Sequence, residues 1–299
     1  MEPPPIRKHG ADPKARELWA ELNRQLPSAT DATLYHYTSL AGFAGIVSSG
    51  VLWASDSQYL NDPSEGRYAR AAMFQAADTF GSKLPSQAAA MLRQVVEQAC
   101  NEASASSVFL TSFSEDGDLL SQWVAYTPDA AGVSLGMEGN ILSEHPDVVL
   151  RKVIYEPTMQ QNILHRVLRV YLDAAEEMRQ YPDISAFDRI ASVAHHILLV
   201  CAACFKDPAF FAEREWRAIR VYDLAAESLL PIRYRPMPYA LVPYIDFRPS
   251  EHAMNIVREV IVGPGLEFEL NRKSISNFCG RNSTPPRITP SQVPFRRVR

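Results

Sequence analysis

Apolar residues recur at helical spacing from Leu18, with Trp19, Leu22 and Leu26 on one side. Asp12 and Pro13 open this segment as an N-cap and a first-turn proline. The period then shortens. Thr33 to Tyr37 reads as a strand, Thr38 or Ser39 caps a second helix that Gly50 ends, and Val51 to Ala54 is extended again. Asn61-Asp62-Pro63 is a turn, followed by helices from Ser64 to about Phe80 and over Gln87 to Ser104. Ser107 to Phe113 is a strand, Ser114 to Asp118 a turn, and LLSQWVAY a short helix. Ala131 to Met137 and Val148 to Tyr155 are further strands.

Pro157 to Cys204 divides into two helices at Tyr181-Pro182-Asp183 and forms a helical insertion or lid. Glu213 to Val221 is the next strand. Proline-rich extended pieces cover Leu229 to Phe247, Val257 to Val262 is a strand, Gly263 to Gly265 a loop, and Glu267 to Phe278 a last helix. The pattern predicts an α+β fold with a mixed, largely antiparallel sheet, N-terminal helices and a helical insertion at about 157–204. Residues 1–11 are expected to be disordered, and 12–299 to form one domain.

Composition narrows the classes. With 299 residues and 46% hydrophobic content, the chain can bury a full core. A net charge of −4 disfavours a general nucleic-acid or membrane-surface binder, although nucleic acid stays open as a partner. The 24 arginines against 6 lysines supply bidentate donors for carboxylates or phosphates, a bias that a GC-rich genome also produces. No run approaches the roughly 20 apolar residues of a membrane span, and the N-terminus lacks the apolar core of a secretory signal. Four cysteines set no disulfide framework, so a cytoplasmic protein is expected. Cys201 and Cys204 follow His195 and His196, but the run between them is an apolar helix with no second cysteine pair. A buried helix is therefore expected there, and no metal.

The densest chemistry lies in Phe205 to Arg220, FKDPAFFAEREWRAIR. As a strand it turns Glu213, Glu215 and Arg217 to one face, and Arg214, Trp216 and Ala218 to the other. Two carboxylates and a guanidinium on one face are costly to bury unless they pair or bind something. Two readings fit: an active-site strand, or a half-exposed strand with a Glu–Arg ladder. Other polar-aromatic clusters sit at strand ends. One is Tyr35 to Ser39 with Trp53, Ser55 and Asn61 to Glu65. Another is Ser112, Phe113 and Ser114 with Trp123, Tyr126 and Gly132 to Gly136. Lys206 joins the Glu213–Arg217 group, and Val262-Gly263-Pro264 follows.

In this order the clusters read Y-x-Y-T-S, N-D-P-x-E, S-F-S, W, K-x-x-x-F-x-x-E-x-E-W-R and V-x-x-G. The chain thereby resembles a widespread bacterial family of unknown function over about residues 33 to 265. That family is distantly similar to ADP-ribosyltransferases. The similarity implies NAD as co-substrate, a macromolecular acceptor of unknown kind, and a role as a toxin or phage-defence effector. It assigns Glu215 and Glu213 as catalytic. His36, Tyr37, Thr38, Trp53, Ser55, Ser112, Ser114, Trp123 and Arg217 become nucleotide-binding, with Ser112 or Ser114 as the middle position. Glu215 would stabilise an oxocarbenium-like ribose, Arg217 or Arg214 would meet the pyrophosphate, and Tyr37, Trp53 or Tyr59 would stack on a flat ring. A binding-only sensor and a nucleic-acid-processing enzyme remain alternatives. The chain has no G-x-G-x-x-G, P-loop or G-x-S-x-G motif to support Rossmann binding, ATP hydrolysis or serine hydrolysis.

Overall fold

The computed structural model describes residues 13–295, except 29, 61, 63, 102–105, 128–129, 144–147, 180–183, 224–230, 250–256 and 282–285. For residues 179, 184–187 and 223 it describes the backbone alone. The expected disorder of residues 1–11 and the helix break at 181–183 lie outside the described residues.

Helix α1 (Pro13–Gln25) precedes strand β1 (Thr33–Ser39). The Ser39 side chain accepts from Gly42 N and caps α2 (Leu40–Ser49), which ends where Gly50 turns left-handed at φ 69°. β2 (Leu52–Asp56), α3 (Ser64–Gly81), α4 (Ser86–Cys100) and β3 (Ser106–Ser114) follow. Next come α5 (Leu120–Tyr126), β4 (Gly132–Glu138), α6 (Gly139–Ser143) and β5 (Val149–Lys152), then α7 (Pro157–Arg179) and α8 (Ile184–Cys204). A 3₁₀ turn (Pro208–Glu213) leads into β6 (Glu215–Asp223), and the chain continues with β7 (Arg233–Met237), β8 (Ala240–Phe247), β9 (Val257–Val262), α9 (Phe268–Gly280) and β10 (Arg287–Pro290). The fold is α+β, as the pattern predicts. β10 was not foreseen, because its strand character comes from pairing with β9 and not from its proline-flanked sequence.

The sheet runs β10-β9-β4-β1-β3-β2-β8-β7, and β6 pairs β3 and β5. Among the described strand pairs only β9–β10 is parallel. β6 lies along the whole of one edge of β3. The other edge is shared: β1 meets it at Ser114, and β2 meets it at Leu110 and Phe109. The sheet therefore forks beside Thr111, Ser112 and Phe113.

Period-two alternation divides the core between the sheet faces. One face carries Val108, Leu110, Ile219 and Val149 into the largest cluster, with α1, α3, α4, α7 and α8. The other face carries Phe109, Phe113, Trp216 and Ala218 into a second cluster with residues of β1, β4, β8 and β9, backed by α2 and α9. A small third cluster around Tyr37, Trp123 and Ile261 completes the β1–β4–β9 end. Helices α7 and α8, the expected insertion, contribute much of the largest cluster, including Cys201 and Cys204, both free thiols that burial pushes up in pKa.

Candidate active site

The E-x-E segment begins its strand later than its spacing predicts. Glu213 ends the 3₁₀ turn that Asp207 caps and Pro208 starts, and Arg214 turns left-handed at φ 46°. β6 starts at Glu215. Expecting Glu213 on the strand face with Glu215 and Arg217 was thus incorrect, because the Arg214 kink breaks the alternation. Glu215 and Arg217 do share a face, and Trp216 packs into the core behind them. Ser114 fixes the kink: its hydroxyl donates to Glu213 O at 2.7 Å, and Glu115 N donates to Arg214 O at 3.1 Å.

The displaced Glu213 still reaches the same site through Lys206. Lys206 Nζ lies 2.5 Å from Glu213 Oε2, 2.9 Å from Glu65 Oε1 and 3.1 Å from Glu215 Oε2. Arg217 clamps Glu215 with Nε to Oε1 at 2.7 Å and Nη2 to Oε2 at 3.0 Å. Its Nη2 also meets Glu65 Oε2 at 2.8 Å, and its Nη1 donates to Ala203 O at 2.8 Å. Three carboxylates thus surround two cations, leaving one net negative charge in a region where Lys206, Glu215 and Arg217 are all buried.

Burial alone would raise the Glu215 pKa, but Arg217 and Lys206, helped by the Ser112 hydroxyl, hold it down at about 2. Burial raises Glu213, and the neighbouring Glu215 and Glu65 charges add to this. The Lys206 contact pulls the other way but does not offset the cost of burying the charge. Burial opposes the Lys206 charge, yet Glu215 and Glu65 keep it well above the ordinary lysine range. Tyr126 of α5 is 37% exposed as a residue, but desolvation of its phenol raises the pKa, and the charges of Glu215, Lys206, Glu213 and Arg217 reach it. Tyr155 fixes the backbone, its hydroxyl accepting from Glu215 N at 2.9 Å. Glu65 and Arg217 also line a cavity of about 380 Å³, together with residues such as Met73, Leu110 and Leu199.

Ser112 connects this cluster to the fork. It pairs with Arg217 across β3–β6, which sets its side chain on the face that Glu215 and Arg217 share. Continuing the Ser55–Leu110 register by two residues sets Trp53 opposite Ser112, and Thr111 Oγ1 donates to Trp53 O at 3.1 Å. Trp53 and Ser112 therefore project from the same sheet face on the two sides of the fork, and Ser112 pairs with Arg217 of β6. Trp53 is 48% exposed. Ser55, two residues on, accepts from Arg235 Nη2 at 2.9 Å.

The other expected residues are placed differently. Tyr35 pairs with Ser114, so alternation sends His36 to the Phe113 face, where the two rings lie 5.8 Å apart. His36 Nδ1 lies 3.0 Å from Ser112 O, and since a carbonyl only accepts, Nδ1 carries the hydrogen. Burial holds its pKa below the usual histidine value. Tyr37 is buried edge-on against Trp123 and donates to Asp116 O at 2.8 Å. Trp123 Nε1 donates to Asp118 Oδ1 at 2.8 Å. Thr38 sits in the β1–β4 ladder opposite Val133. Glu65 and Lys206 stood in the quoted motifs without an assigned role; only the tertiary fold shows that they meet.

A family model described as a protein of unknown function (DUF2971) matches residues 122–218, about a third of the chain. The chain is similar to that family over this stretch. It runs from α5 through α8 to the Glu215–Arg217 strand, so it carries Tyr126, Lys206, Glu213 and Arg217 but neither Glu65 nor Trp53. No curated protein and no solved structure matches the chain. Among the described residues, no helix is long and apolar enough to cross a membrane, and no group of three or more His, Cys, Asp or Glu is placed to hold a metal ion.

Proposed function

We propose that the protein is an NAD-consuming glycosyl-transfer enzyme of the ADP-ribosyltransferase kind. One observation carries this reading: two carboxylates share Lys206, and their surroundings push them in opposite directions, Glu215 down and Glu213 up. Such a division suits glycosyl transfer, which needs a permanent anion beside the developing cation and a second group that moves a proton.

In the proposed step the bond between ribose C1′ and the nicotinamide nitrogen breaks. Its electron pair leaves with the ring, which departs neutral, and positive charge develops on the ribose. Glu215 opposes that charge; Arg217 and Lys206 keep it ionised and fixed, so little reorganisation is needed. Water or an acceptor hydroxyl then adds at C1′, and Glu213 accepts its proton. The 5% exposure of the Glu215 side chain, against 17% for Glu213, matches these roles of buried anion and accessible proton carrier.

The test is release of free nicotinamide from NAD by pure protein, with Glu215→Gln as the control. Turnover that survives Glu215→Gln unchanged would refute the proposal. The mutual engagement of the five charged groups favours one other reading, a nucleotide- or partner-binding protein in which the network only holds α3 and α8 on the sheet. That reading requires binding without nicotinamide release.

A further inference from the structure

We propose that Arg235, not Arg217, is the phosphate anchor of the protein, and that Arg235 and Trp53 together form a subsite for the pyrophosphate and a flat base of a nucleotide. This rests on the NAD reading only for the identity of the ligand; the subsite stands on its own geometry.

Arg217 cannot serve. Its Nε, Nη1 and Nη2 are all committed to Glu215, Ala203 O and Glu65, and it is buried. Arg214 is engaged with Glu115 at 3.2 Å. Arg235 differs from both. Among the described residues only its Nη2 meets an acceptor, the neutral Ser55 hydroxyl, and its buried Nε has no hydrogen-bond partner. The ionisable groups whose fields reach it are the phenols of Tyr239 and Tyr244, not a carboxylate. Asp246, the nearest acid along β8, pairs with Arg233 at 3.3 Å. A half-buried guanidinium without a counter-ion is a costly feature that an anionic ligand would relieve.

Its position suits that ligand. Arg235 reaches back from β7 to Ser55 on β2 and lies 5.4 Å from the centre of the Trp53 ring. Tyr244 supports Trp53, the ring centres 4.7 Å apart, while Trp53 stays half exposed. A base stacked on Trp53 would set its phosphates beside Arg235, on the sheet face that Ser112 and Glu215 share.

Isothermal titration with NAD, ADP, adenosine and inorganic pyrophosphate tests this. Wild type should bind NAD and ADP at least about tenfold more tightly than adenosine, the margin expected of a charge-assisted phosphate contact. Arg235→Gln retains a donor for Ser55 without the charge. It should lower ADP affinity to that of adenosine, leave adenosine unaffected, and raise KM for NAD more than it lowers kcat. Trp53→Ala should weaken adenosine and ADP alike. Unchanged ADP affinity in folded Arg235→Gln, adenosine binding as tightly as ADP, or a single-stranded oligonucleotide out-competing ADP would each overturn the subsite. The two proposals fail separately. ADP binding that depends on Arg235 without nicotinamide release removes the enzyme reading alone, whereas nicotinamide release with an unaltered KM in Arg235→Gln removes the subsite alone.

Discussion

At the scale of single residues, the site turns on how two glutamates divide one ammonium. Glu215→Gln keeps shape and hydrogen bonding but removes the charge that opposes the ribose cation, so nicotinamide release should fall by at least about a hundredfold. Glu213→Gln should hurt less and should change the pH profile. Because Glu213 accepts the proton as a carboxylate and its pKa is raised, wild-type activity should fall on acidification at a pH above that of an ordinary glutamate. That acid limb should vanish from the residual activity of Glu213→Gln. A limb that persists unchanged would assign the proton to another group. Lys206→Met has a different signature. It leaves Glu65, Glu213 and Glu215 around Arg217 alone, and unpairing a buried ion of this kind costs about 3–5 kcal/mol, read as a lowered thermal midpoint.

At the scale of elements, most of the chain was legible because its signals were local. The Ser39 cap, the left-handed Gly50 and the alternation of Ser107 to Phe113 each act within a few residues, and each element stands where its pattern put it. The start of β6 was not legible in that way. The residues of AEREW suit a strand throughout, but the turn from Pro208 and the pull of Ser114 on Glu213 O force Arg214 to positive φ, a tertiary demand that overrides propensity. The fork was equally hidden, since strand pairing between β1, β2 and β3 is set by contacts far apart in sequence. The V-x-x-G motif gains its reason only in three dimensions. A Cβ on Gly263 would lie 2.7 Å from Ala130 O, 2.9 Å from Gly132 O and 3.1 Å from the Trp123 ring, two of them backbone atoms that cannot yield cheaply. Gly263→Ala should therefore lower the thermal midpoint by the equivalent of about 1–3 kcal/mol of overpacking, while a solvent-facing glycine such as Gly66, whose Cβ meets nothing within 4 Å, should tolerate alanine.

At the scale of the whole molecule, the charged cluster joins the helical layer to the sheet: Glu65 comes from α3, Lys206 from the segment after α8, and Glu215 and Arg217 from β6. Gln160 of α7 adds to the clamp, donating from Nε2 to Ile154 O at 2.6 Å and Lys206 O at 3.1 Å. Stability should therefore depend on pH through Glu215. Its folded pKa, about 2, lies below the ordinary value of 4.5 that the unfolded chain restores. A depressed carboxylate of this sort contributes its full stabilisation above the unfolded value and loses it as pH falls towards the folded one. Between about pH 4.5 and 2 the wild type should thus lose stability more steeply than Glu215→Gln, which has no such group to protonate. Thermal unfolding of both proteins across that interval reads the difference directly: the gap between their midpoints should be widest near neutrality and narrow on acidification. A gap that stays constant with pH would mean that Glu215 is no more favoured as an anion in the folded protein than in the unfolded chain. The Arg217–Lys206 clamp would then stabilise neither the fold nor the charge that the proposed chemistry requires.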